Sequence, residues 1–340
     1  MPQDWHPDVE NFGQRLHLWE YQQDALRAAI KLLYHYYDTT KKYELTETPE
    51  DNKARKKDFF ADLQQLNPDI EKIGNVRQKD SLFDEMKTYF TEETVGSKQV
   101  LSFWNIVNKM GFWMATGSGK TYVMIKLIQI LKKLSEKKLI PSNNILILTE
   151  SDFLMDQIRT TIDKFNRNSP QKIKCLDLKD DFDTAGSRRS RPNEINVYMY
   201  KSGNIVGETK QIQLAYDQIE NDGKWYVLLD EAHKGSSSSE EKKRQKYFAM
   251  ISRNGYLFNF SATFTLDEDK RTTVFNYNLP KFLAAGYGKN LYLAQQQALS
   301  FRSQNDFQPN AKKKIVLQSL IFVTYCQRNR LSFEQFERSF

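Results

Sequence analysis

FWMATGSGKTY, residues 112–122, is the stretch whose reading decides the fold. An apolar run over 111–114 leads into a turn of small residues. Lys120 and Thr121 follow, and a helical pattern then runs over 123–134. Strand, glycine-containing loop and helix in this order make a phosphate-binding site. Gly117 and Gly119 let the backbone adopt angles that turn several N–H groups toward one anion. The helix points the positive end of its dipole at the same place. Thr116, Gly117, Ser118, Gly119, Lys120 and Thr121 are therefore the candidate nucleotide-binding residues. Lys120 can reach the outer phosphates, and Thr121 can offer its hydroxyl to Mg²⁺. Met114 stands where such loops usually carry their first glycine.

Downstream, short β-rich runs alternate with helical ones. Strands are predicted over 145–149, 195–200, 226–229 and 256–260, and helices over 153–165, 212–219 and 242–251. Continuous apolar strands separated by helices predict an α/β fold, a parallel sheet covered by helices on both faces. Ligands of such sheets sit at the carboxyl ends of the strands, where the phosphate loop falls. So does WYVLLDEAHKG, 225–235, in which a buried strand delivers Asp230 and Glu231 to its exposed tip. One carboxylate there can hold Mg²⁺ while the next positions and deprotonates an attacking water. Alone, this is a strand ending in acidic turn residues; after a phosphate loop in the same sheet pattern it becomes a catalytic candidate. In FNFSATFT, 258–265, Ser261 and Thr263 follow another buried strand, where their hydroxyls can hydrogen-bond the acidic segment.

Upstream, 16–37 shows one amphipathic helical pattern with Leu26, Ala29, Ile30, Leu33 and Tyr34 on a common face. Gln22 or Gln23 can read an adenine edge, since an amide both donates and accepts; alone, each is a solvent-facing helix glutamine. From 38 to 97 the composition turns charged and polar, which predicts a solvated, helical insertion. Residues 100–110 read as a short helix leading to the phosphate loop. The loop at 179–193 carries SRRSR, 187–191, and 235–241 reads GSSSSEE; both are polar surface connections, and the first, being basic, could also bind phosphates.

Composition bounds the class. With 39% apolar and 27% charged residues in 340, the chain is an ordinary globular protein of one large domain or two smaller ones. The net charge of +7 mildly favours a polyanionic partner. Cys175 and Cys326 lie far apart with no metal spacing, which suits a reducing compartment, and the cytoplasm is expected. No apolar run approaches the roughly 18 residues of a membrane span, and the acidic N-terminus shows no signal peptide.

ATGSGKT, DEAH and SAT, in that order, resemble motifs I, II and III of superfamily 2 helicases and translocases. LHLWEYQQDAL, 16–26, resembles the adenine-reading motif of that superfamily, and NILILTESDFLMDQ, 144–157, resembles its motif Ia. Within the superfamily, FWMATGSGKT and NYNLPKFLAAGYGKNLYLAQ, 276–295, are most similar to the helicase-like subunit of type III restriction–modification systems. The resemblance implies a RecA-like domain that binds and hydrolyses ATP with Mg²⁺. It would place Gly117, Ser118, Gly119 and Lys120 on the triphosphate, Thr121 and Asp230 on Mg²⁺, Glu231 as general base and Gln22 on adenine. His233, Ser261 and Thr263 would couple hydrolysis to movement on DNA. Partners implied are duplex DNA, a second RecA-like domain and a modification-methyltransferase subunit.

The domain plan expected is an N-terminal helix with its glutamine motif (1–37), a charged helical insertion (38–105), a RecA-like domain (106–268) and a connector (269–340). The connector contains a helix at 312–328 and a tail at 331–340. Residues 266–340 are too few for a second motor domain, so a truncated motor half is expected, weak as an ATPase alone. The alternative is a nucleotide-binding module that turns over little and acts by binding. A small-molecule P-loop kinase is disfavoured by DEAH and SAT together.

Overall fold

A computed structural model describes residues 1–287, apart from 15, 69, 71, 72, 74, 81, 183–192, 207–213 and 232–237 and the side chains of 206, 214–216 and 238–242. The expected SRRSR segment, His233, and the helix and tail beyond 312 lie outside the described residues.

Helix α1 (Glu20–Tyr34) buries Ala25, Leu26, Ala29, Ile30 and Leu33, the face expected from its spacing. Helix α2 (Pro49–Leu66) starts at Thr48, whose hydroxyl accepts from Asp51 N while the Asp51 carboxylate accepts from Thr48 N. Thr-Pro-Glu-Asp is thus a capping box with proline at the first helical position. Strands β1 (Val76–Arg77), β2 (Glu93–Val95) and β3 (Lys98–Leu101) form a small antiparallel sheet in the order β1-β3-β2. The 38–105 stretch is therefore not wholly helical. Nor is 100–110 a helix: it runs from β3 through a 3₁₀ turn, Phe103–Ile106, directly into the main sheet.

The main sheet contains β4 (Lys109–Met114), β5 (Asn144–Thr149), β6 (Lys172–Asp177), β7 (Glu194–Lys201), β8 (Trp225–Asp230), β9 (Tyr256–Ser261) and β10 (Thr273–Tyr277). Its order is β10-β4-β9-β8-β5-β7-β6, and every neighbouring pair is parallel. Helices α3 (Lys120–Glu136), α4 (Asp152–Asn168), α5 (Ser238–Ile251) and α6 (Leu279–Ala284) complete the set used below. Strand alternation divides the core in two. Ile145, Ile147, Leu228 and Phe258 join α1, α3 and α4 on one face; Leu146, Leu148, Val227 and Leu229 join Phe248 and Ile251 of α5 on the other. This is the RecA-like α/β architecture that the strand and helix pattern predicts. Burial on both faces is why the central strands read as unbroken apolar runs.

Two further expectations need correction, and one strand carried too weak a signal to be foreseen. The predicted helix at 212–219 ends as a short strand, Leu214–Ala215, and a 3₁₀ turn, Tyr216–Ile219. Strand β6 carries lysines at 172 and 174 at the sheet edge, so its apolar signal is diluted. Strand β10 lies within the expected connector, yet it pairs with β4, and Ala115 N donates to Tyr277 O at 3.0 Å. Among the described residues, no helix is long and apolar enough to cross a membrane.

Candidate active site

Three adjacent strands, β4, β9 and β8, end at Met114, Ser261 and Asp230. Their parallel register sets Ser261 opposite Trp113 and Asp230 opposite Phe260, so the three chain exits emerge at one edge. The stacked rings of Phe112 and Phe260, with centroids 4.3 Å apart, fix that register just beneath the site.

The phosphate loop leaves β4 and turns through left-handed conformations at Gly117 (φ 81°) and Gly119 (φ 78°). Such angles strain any residue with a Cβ. A Cβ on Gly117 would meet open space, whereas one on Gly119 would lie 2.4 Å from Gln22 Nε2. The cause is that Gln22 leans on the loop, its Nε2 donating to Ser118 O at 2.9 Å. Tyr21 Oη donates to the same carbonyl at 2.9 Å. Burial, with Tyr277 and Tyr287 alongside, pushes the Tyr21 phenol up to about 12, so it remains a donor at neutral pH. Gln22 was expected to read an adenine edge. Here it is 4% exposed, and its Oε1 accepts from Trp19 N at 3.0 Å, so the amide braces the loop and caps α1. Gln23 donates to Leu18 O.

Glu231 holds the most constrained backbone of the site, at φ 52°. A non-glycine residue in the left-handed region costs on the order of 1 kcal/mol and is retained where its surroundings over-determine it. Those surroundings are plain. Glu231 N donates to Phe260 O at 3.0 Å. Its Oε2 accepts from Ser261 Oγ at 3.0 Å, and its Oε1 accepts from Ala262 N at 2.9 Å. Ser261 Oγ in turn accepts from Thr263 N at 2.9 Å, and Trp113 Nε1 donates to Ala262 O at 2.9 Å. The Ser-Ala-Thr turn is thus a cradle for the Glu231 carboxylate; the Ser261 hydroxyl makes the contact anticipated from the sequence, while Thr263 meets Ser261 through its backbone N–H. Ala262 N and Trp113 were not anticipated, because a backbone donor carries no residue signature.

Lys120 Nζ lies 3.0 Å from Glu231 Oε1 and 3.4 Å from Met114 O. The lysine expected on phosphates and the carboxylate expected to activate water therefore hold each other. Asp230 is 4% exposed beside them, while Thr121 is half-buried and Thr116 exposed. Among the described residues, no cluster of three or more histidine, cysteine or acidic side chains could hold a metal by itself. One carboxylate and one hydroxyl, both hard oxygen donors, fit Mg²⁺, which takes few protein ligands and completes its shell with water and phosphate.

Among the described residues Ser118 Oγ is buried with no hydrogen-bond partner, an orphaned polar atom within the phosphate loop that a ligand's oxygens would satisfy. Beside the loop, Tyr21 stacks on Tyr277 (centroids 4.4 Å), and Tyr287 packs edge-on against Tyr21 and Trp19. Trp19 and Tyr287 remain 57% and 41% exposed. This aromatic group was missed because Tyr277 and Tyr287 fell in the supposed connector.

Comparison with known proteins follows the same lines. Residues 15–266 match the family model described as "Type III restriction enzyme, res subunit". The Type I restriction enzyme EcoAI endonuclease subunit of Escherichia coli is 28% identical over 161 residues, covering 47% of this chain and 18% of that one. The chain thus spans under a fifth of that relative's length. The crystal structure of the UvsW helicase from bacteriophage T4 aligns over 60% of this chain and 69% of its own, at 13% identity and a TM-score of 0.30.

Proposed function

This chain belongs to the type III restriction enzyme res-subunit family, and on that premise we propose that its helicase-type motor domain binds and hydrolyses ATP to drive movement on duplex DNA. It would act with a second RecA-like domain, in a restriction system that includes a modification methyltransferase. The observation that carries the reading is the meeting of Lys120, Asp230 and Glu231 at one sheet edge, with Glu231 cradled by Ser261 and Ala262.

Chemically, the loop N–H groups and the α3 dipole would receive the triphosphate. Lys120 would then leave Glu231 for the phosphates, exchanging one anionic partner for another. Glu231, still fixed by Ser261 and Ala262, would then position the attacking water and take its proton. Thr121 and Asp230 would hold Mg²⁺, which supplies charge neutralisation on the phosphates. Ser261, whose hydroxyl donates to Glu231 and accepts from Thr263 N, would pass the change in Glu231 to Thr263 and, with His233 two residues after Glu231, to the nucleic-acid side. Gln22 and Tyr21, bound to the same loop carbonyl, would report loop occupancy to α1, with the adenine seated near Trp19 and Tyr287.

The second reading, a binding module with little turnover, draws on the Lys120–Glu231 pair, which keeps the base occupied until a triphosphate competes for the lysine. Steady-state ATP hydrolysis with and without duplex DNA separates the two. Turnover stimulated by DNA is expected, abolished in Lys120→Ala. Glu231→Gln should lower kcat by about 10²–10⁴-fold while retaining nucleotide binding. No turnover even with DNA and a supplied second motor domain would leave only the binding module.

A further inference from the structure

A second cleft, of 490 Å³, opens at the amino-terminal edge of the main sheet. Its wall includes Asn105, Lys224 and Asn254, which stand just before β4, β8 and β9, whereas Lys120 and Glu231 follow strand ends. No phosphate-loop residue lines it. One side is a face of α2, with Pro49, Asn52, Lys53 and Lys56 recurring at helical spacing.

The charges of this cleft do not balance locally. Arg253 is paired with Glu220 and lies 4.6 Å over the Tyr89 ring, and Lys224 is paired with Asp222 at 3.1 Å. The two α2 lysines that line the cleft, Lys53 and Lys56, have no such partner among the described residues. Lys53 is exposed on the rim, with Glu50 one turn away and also exposed. Lys56 is 5% exposed; its Nζ donates to Asn105 O at 2.8 Å and sits 5.7 Å from the Phe90 ring. An ammonium removed from water without a counter-charge is costly, and burial, with Arg253 nearby, pushes the Lys56 amine down to about 7. An anion entering the cleft would supply what Lys56 lacks and draw a proton onto it. Two unpaired amines one helical turn apart suit a dianion better than a single carboxylate. The volume suits a ligand up to nucleotide size.

We propose that this cleft binds a small phosphate-bearing molecule, its phosphate seated between Lys53 and Lys56, as a site separate from the phosphate loop. The test uses the full chain carrying Lys120→Ala, which disables the loop. Pyrophosphate and ADP are titrated by calorimetry near pH 7 in two buffers of different ionisation enthalpy. Binding is expected with a Kd of about 1 mM or tighter. Lys56→Gln should weaken it about tenfold or more, as should Lys53→Ala, an exposed change that leaves the fold intact. Lys56→Arg should retain binding while the excess proton uptake disappears, because a guanidinium is already charged. The proposal is overturned by absent binding, by equal binding in Lys53→Ala, or by proton uptake that Lys56→Arg leaves unchanged.

Discussion

At the residue scale, Gly117 and Gly119 show how one motif assigns two different jobs to one residue type. Both have left-handed φ, so both resist a side chain on conformational grounds. Only Gly119 also has a neighbour in the way, the Gln22 amide that is bonded to Ser118 O. Gly117→Ala should therefore cost about 1–2 kcal/mol of backbone strain. Gly119→Ala should cost about 1 kcal/mol more, the worth of the displaced hydrogen bond. Thermal unfolding should rank them in that order, and nucleotide titration should show the larger loss for Gly119→Ala. The glycines were legible in the sequence because φ is a local property. The amide that polices Gly119 was not, since Gln22 lies 96 positions from Ser118 and is brought there by tertiary packing.

At the scale of elements, α2 is the most instructive departure. Its mixed charge predicts a solvated surface, yet Arg55 is fully buried, with Lys56 and Phe59 beside it. Arg55 makes a two-pronged ion pair with Glu47 and lies 5.7 and 5.5 Å from the Tyr36 and Tyr37 ring centres. Removing one partner of a buried pair strands the other, at about 3–5 kcal/mol. Arg55→Met should lower the unfolding free energy from denaturant melts by that amount, and adding Glu47→Leu should restore most of it. If the single variant were as stable as the parent, the pair would not anchor α2. The start of this helix was readable in Thr48-Pro49-Glu50-Asp51. Its burial was not, because composition counts charges without saying which have found partners.

For the whole molecule, buried lysines link stability to pH in opposite senses. Burial pulls Lys109 down, but Glu268 and Asp269, at 2.6 and 3.2 Å, outweigh it and hold the amine above its ordinary value. Lys56 has no such partner, and its amine falls from 10.5 to about 7. Between those two values the unfolded chain binds a proton that the folded chain does not, so unfolding free energy rises with pH. Below about 7 both states carry the charge and the full penalty applies; above about 10.5 both are neutral and it is gone. Lys56→Met should accordingly stabilise the fold most near neutral pH, by a few kcal/mol, and by less as pH approaches 10. Denaturant melts of both proteins at several pH values measure this; a constant difference between them would refute it.

The sequence by itself determined the phosphate loop, the acidic strand tip, the parallel sheet and the order of the motifs that mark the family. These are written in neighbouring residues: glycines permit a turn, apolar runs make buried strands, and carboxylates sit where a strand must end. Only the tertiary structure decided that Lys120 rests on Glu231, that Ser261 and Ala262 cradle it, that β10 closes the sheet, and that a three-stranded sheet stands within the charged insertion. It also decided that Arg55 and Lys109 are buried with partners while Lys56 is buried without an acid. The physical reason is common to all of these. The free energy of a charge or a strand edge depends on what lies across space from it, and that neighbour is usually far away in the chain.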